Sequence, residues 1–347
     1  MKEKLFYGGK RKMNTSQRIK RVNWVFAATV GISIITSFIP ISTFVHNSAV
    51  LLLISQLILV FPAIIYIVTE KVPYQEAVRF RRIRPANIFL LILFTILIMP
   101  LTSLVNAISM LFVENKITNT MTNITEQNSF VIALMITALI PCIFEESVYR
   151  GVLYNEYRKM KPVSAIFLSA FLFGILHGNL NQFSYAFVMG IVFALVIEAT
   201  DSILSTMIIH FLINGSSVLT LAFYPKLLSF LESVYNRAVE SNNTNVINMV
   251  TEFMGGTDFT MDALMKNSQQ ALTSMSIGDV LRSYGPMALI STGLALLVYR
   301  TIAVNADRWQ YIKEMIHAEK KEQHLITLPL AIAILICIVL MILSELV

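Results

Sequence analysis

Charged residues are scarce in this chain: they make up 14% of its 347 residues, where soluble domains carry about 25%. That shortage, with 56% hydrophobic residues and a mean hydropathy of +0.68, excludes an ordinary soluble domain and implies a polytopic membrane protein. Cysteine is scarcer still. The two that occur, Cys142 and Cys337, both fall inside apolar stretches, which excludes a disulfide framework and a thiolate metal site. The net charge of +6 does not build a nucleic-acid surface, because the basic residues sit between apolar runs, where they orient a chain in the bilayer. The lipid bilayer is therefore an expected partner, and nucleic acid is not. An internal repeat, the mark of many transporters, is also missing.

What is abundant is apolar length. Runs close to the roughly 20 residues that cross the hydrocarbon core lie at 24–45, 49–69, 87–113, 129–149, 163–177, 184–200, 202–224, 286–304 and 326–346. They predict an all-α, polytopic transmembrane helical bundle of about 8–9 spans, expected in the plasma membrane. Lys and Arg precede the first run and follow the second, fourth and eighth, among them Arg79, Arg81, Arg82, Arg84, Arg158, Lys159, Lys161, Lys320 and Lys321. The positive-inside bias then predicts a cytoplasmic N-terminus. The first run is long and lacks a small-residue cleavage pattern, which predicts an uncleaved anchor. Five regions follow: a basic cytoplasmic arm at 1–23, an N-terminal transmembrane hairpin with an amphipathic interfacial segment at 24–84, a membrane core at 85–224, an extracytoplasmic loop at 225–285 and a C-terminal transmembrane hairpin at 286–347.

Against that background, the sequence Glu145-Glu146-Ser147-Val148-Tyr149-Arg150 stands out. Charge at bilayer depth is costly and usually faces a protein interior or a wet cavity, where it marks function. Helical positions four apart share a face, so Glu146 pairs with Arg150 and Glu145 lies over Tyr149. The pair Glu146–Arg150 also reads as a plain structural brace, whereas Glu145 has no intrahelical partner. Phe173 and His177 repeat the four-residue spacing on the next run, and His210 and Asn214 repeat it again on a later one. Gly174, Gly178 and Gly215 beside them predict close helix approach.

A helical hairpin turning near Lys161 puts Glu145 and His177 level, each roughly 24 Å from the turn. By the same count His210 lies only about 14 Å from a turn near Asp201, a mismatch that requires one hairpin to protrude or a helix to kink. A carboxylate, two imidazoles and an amide in a membrane cavity suit hydrolysis of an amide bond. Glu145 can act as general base on water, His177 can orient that water, and His210 with Asn214 can stabilise the oxyanion. Alternatively, Glu145, His177 and His210 can ligate zinc, one carboxylate and two histidines being a known catalytic ligand set.

Glu-Glu-x-x-x-Arg at 145–150, Phe-x-x-x-His at 173–177 and His-x-x-x-Asn at 210–214 together resemble the CPBP family of intramembrane proteases, which includes the type II CAAX prenyl endopeptidases and the bacterial Abi proteins. The resemblance covers about residues 85–225. It implies an intramembrane endopeptidase acting on a membrane-associated peptide or protein, with Glu145 and His177 activating water and His210 and Asn214 holding the oxyanion. Many members are described as metalloproteases; a metal-independent glutamate mechanism without a cofactor is the favoured reading. Two other classes compete. A non-proteolytic scaffold or immunity-type binding protein would retain the cluster for packing, and a proton-coupled transporter would use it as a relay.

Overall fold

A computed structural model of the chain describes residues 15–317 and 324–346. Lys320, Lys321 and the basic residues before Thr15 lie outside that range. Among the described residues every regular element is a helix, and the protein is an all-α bundle.

The N-terminal part consists of α1 (Thr15–Ser37), α2 (Ser48–Glu70), the one-turn α3 (Tyr74–Ala77), α4 (Pro85–Ser109) and α5 (Ile117–Gln127). The helix that carries both glutamates, α6, runs continuously over Phe130–Tyr157. Then come α7 (Pro162–Ile175), α8 (Leu180–Thr200) and the 38-residue α9 (Ile203–Glu240). Two short helices, α10 (Thr244–Met254) and α11 (Met261–Thr273), lead to α12 (Ile277–Asn305), α13 (Trp309–His317) and α14 (Leu328–Leu343). Seven helices, α1, α2, α4, α6, α8, α9 and α12, are long and apolar enough to cross a membrane, while α7 and α14 are apolar but shorter. Their outward faces carry large apolar side chains such as Phe61, Phe89, Phe167 and Leu289, as a lipid-facing surface does.

Several boundaries differ from the sequence expectation. Helix α1 begins at Thr15, so residues 15–23 of the expected arm are helical. The stretch 225–285 is mostly helical, because α9 continues to Glu240 before α10 and α11. Leu228, Val250 and Met254 form a small core of its own there, joined by Tyr235 and Phe259. The amphipathic segment after α2 is docked rather than merely superficial. Val78 is buried against Gly151 of α6, where an added Cβ would meet Val78 Cγ1 at 2.7 Å. Tyr74 and Ser147 share a hydroxyl hydrogen bond of 3.0 Å, and Asn155 donates to the Ala77 carbonyl at 3.0 Å.

The main core gathers α1, α2, α4, α6, α7, α8 and the C-terminal helices around Tyr149, Tyr154, Tyr157, Phe173 and Phe193. Helices α7 and α8 pair closely through Gly190, where a Cβ would lie 2.7 Å from the Ala170 Cα. Gly174 is likewise pressed against Phe183, whereas Gly178 serves a different purpose: its φ of +74° turns the chain from α7 toward α8. At Gly215 a Cβ would make only ordinary contact with Leu134.

Candidate active site

Pro141 sets the local geometry of α6. Proline has no N–H, so the carbonyl of Thr137, four residues earlier, loses its usual helical donor. Just before Pro141 the helix widens to i→i+5 bonding over Met135–Leu139, and it does so again, separately, over Ser147–Tyr154, a variation that recurs at functional sites. The Thr137 carbonyl accepts a hydrogen bond from Asn214 Nδ2 at 3.1 Å. A backbone irregularity on α6 thus holds a site residue of α9.

One helical turn from Pro141, Glu146 and Arg150 are fully buried and paired, with Nη1 3.1 Å from Oε1. The same Glu146 oxygen accepts from His210 Nδ1 at 3.1 Å, so Glu146 ties α6 to α9 and is more than a partner for Arg150. The guanidinium lies between two aromatic faces, 4.2 Å from the Phe173 centroid and 4.8 Å from that of Phe193. This cation–π seat explains why its Nε and Nη2 find no hydrogen-bond partner among the described residues. His210 stacks on Phe193 at 5.3 Å and meets Phe173 at 6.0 Å.

In front of this buried layer stands Glu145, its side chain 13% exposed. Oε1 accepts from Gln56 Nε2 at 2.8 Å, and Oε2 faces His210 Nε2 at 3.8 Å. His177 and Asn214 are half-buried. His177 Nδ1 bonds the Phe173 carbonyl at 2.8 Å. A carbonyl only accepts, so Nδ1 carries the proton and, in the neutral ring, Nε2 offers its lone pair. The His177 and His210 rings meet the same Phe173 ring edge-on, His177 at 5.0 Å. Tyr149 packs edge-on against Phe173 at 5.1 Å.

The structure therefore gathers Glu145, Glu146, Arg150 and His210 by direct contact, brings Asn214 in through the Thr137 carbonyl and joins His177 through Phe173. About half of the depth mismatch between the two turns is absorbed below the site. Tyr154 donates to Glu198 at 2.7 Å, so the tip of the α6–α7 hairpin extends past the Asp201 turn by about one helical turn. Three contributors went unnoticed in sequence: Gln56, Thr137 and Phe193. Gln56 is an amide inside the second apolar run, and Pro141 flags the free Thr137 carbonyl; Phe193 has no such signal.

As for metal, no three His, Cys, Asp or Glu side chains among the described residues are grouped closely enough to hold an ion. Glu145 and His210 approach each other at 3.8 Å, and the bond from His177 Nδ1 to the Phe173 carbonyl leaves its Nε2 as the nitrogen available to a ligand.

Comparison with curated proteins and with solved structures finds no match. Residues 127–216, which hold all three motifs, match the family model described as type II CAAX prenyl endopeptidase Rce1-like. By that match the chain carries a segment similar to the Rce1-like family, set among helices long and apolar enough to cross a membrane.

Proposed function

We propose that the protein is a glutamate-type intramembrane endopeptidase that hydrolyses a peptide bond of a membrane-associated peptide or protein. The observation that carries the proposal is the double clasp of His210, with Nδ1 on Glu146 and Nε2 facing Glu145. It leaves Glu145 as the carboxylate nearest open space.

Glu145 takes one proton from water, and the His177 Nε2 lone pair accepts a hydrogen bond from the other. The water oxygen attacks the scissile carbonyl carbon, and the negative charge moves to the carbonyl oxygen. His210 Nε2 and the second N–H of the Asn214 amide donate to that oxyanion. Because Nδ1 already donates to Glu146, a donating Nε2 makes the ring an imidazolium, with Glu146 and Glu145 as counter-charges. Collapse breaks the C–N bond, and Glu145 returns its proton to the leaving nitrogen, which departs as an amine.

The basic residues flanking α2 and α6 support a cytoplasmic N-terminus. The test is cleavage of a membrane-peptide library, read by mass spectrometry, by purified wild type, Glu145→Gln, His177→Ala, His210→Ala and Asn214→Ala. Glu145→Gln is expected to be inactive yet folded and both histidine variants severely impaired. Asn214→Ala, which leaves one oxyanion donor, is expected to lose about 10²-fold in rate. A Glu145→Gln protein that cleaves at the wild-type rate removes Glu145 from the mechanism, and a wild type that cuts nothing favours a binding role.

A further inference from the structure

Gln56 lies outside the segment that the family model matches. It projects from α2 into contact with Glu145 and is only 6% exposed. A carboxylate oxygen only accepts, so the bond of 2.8 Å to Glu145 fixes which end of the amide is nitrogen. The other end, Oε1, is a buried acceptor with no donor among the described residues. Buried acceptors are seldom left in that condition, and this one lies on the same planar amide that holds Glu145.

A peptide presented for cleavage brings a row of backbone N–H donors, each of which must be satisfied once it leaves water. The neighbouring groups meet other needs: Glu145 and His177 serve the water, while His210 and Asn214 serve the carbonyl oxygen. We infer that Gln56 is a substrate-binding residue whose Oε1 accepts a hydrogen bond from a backbone N–H of the extended peptide close to the scissile bond. One amide group then fixes the distance between Glu145 and the bond it attacks. The N-terminal hairpin becomes part of the active site.

This inference rests on the peptidase reading, and its test keeps the two apart. A peptide cleaved by the wild type is remade as a series in which each amide near the cut is replaced in turn by an ester, which removes one N–H and little else. Wild type and Gln56→Met, an unbranched side chain of similar length, are assayed on the whole series, with Glu145→Gln as the control for the reaction itself. For the wild type, one ester position is expected to lower kcat/KM by about tenfold. The same ester is expected to cost Gln56→Met less than twofold, because the bond is already gone, and this non-additivity is what a packing role of Gln56 would not produce.

Equal ester costs in the two proteins at every position would overturn the assignment. Should Gln56→Met fail to fold, the wild-type series decides alone, since the absence of any ester-sensitive N–H near the cut also overturns it. If the wild type cleaves nothing, or Glu145→Gln remains active, the peptidase reading itself has failed and Gln56 loses its substrate.

Discussion

Arg150 shows what a buried charge requires in this protein. It is fully enclosed, it has one hydrogen-bonded ion pair, and aromatic faces occupy the rest of its surroundings. Breaking a buried pair from one side leaves the other charge uncompensated, at a cost of roughly 3–5 kcal/mol. Arg150→Ala is therefore expected to lower the unfolding free energy by about that amount and to strand Glu146 beside His210; an unchanged melting temperature in detergent would contradict the pairing. The i,i+4 relation made Glu146–Arg150 legible in sequence. Glu146–His210 was not legible, because it joins helices 64 residues apart and depends on how far each hairpin descends. Gln56 was harder still: a lone amide in an apolar span names no partner until α2 has been placed against α6.

At the scale of the element, α6 is the organising helix, and its departures from α geometry are what the motifs rely on. Pro141 frees the Thr137 carbonyl, and Asn214 uses it. Pro141→Ala would restore an N–H able to bond Thr137 and compete with Asn214. The expected result is a protein at least as stable as wild type that hydrolyses about tenfold more slowly, part of the 10²–10³-fold a full oxyanion donor supplies. A wild-type rate in that variant would show that Asn214 is held by something else. The membrane-length helices and their order were readable from apolar run length, and the four-residue spacings placed the site residues on their helices except His177, which lies in the turn just past the end of α7 at Ile175. The helical character of 225–285 was obscured because α9 crosses from the apolar run into polar sequence without a break.

For the whole molecule, a second buried charge cluster ties the helices of the candidate site to the chain on either side. Glu198, fully buried on α8, accepts from Tyr154 and pairs with Arg158 at 2.5 Å and Arg308 at 3.3 Å, with Arg79 at 3.8 Å. Arg79 and Arg81 both bind Asp201 at the α8–α9 turn. Tyr311 of α13 covers the Arg308 guanidinium at 3.8 Å. Burial, reinforced by Arg158, pushes the Arg79 guanidinium down to about 9, while Glu198 acts to hold it up. Three regions that are distant in sequence thus converge on one carboxylate. Glu198→Ala is expected to cost on the order of 3 kcal/mol, read as a lower melting temperature in detergent, and no change would mean that Asp201 alone holds the arginines. Nothing in the sequence announced this cluster, because its arginines looked like ordinary positive-inside residues at three separate loops.

The central claim is that protein groups alone, with Glu145 as the base, cut the peptide. Its most direct test is cleavage of the membrane-peptide library by wild type with and without a zinc chelator, with Glu145→Gln alongside. The account predicts a wild-type rate indifferent to chelation and no cleavage by the variant. Loss of activity on chelation, restored by added zinc, would contradict it and make Glu145, His177 and His210 metal ligands after all.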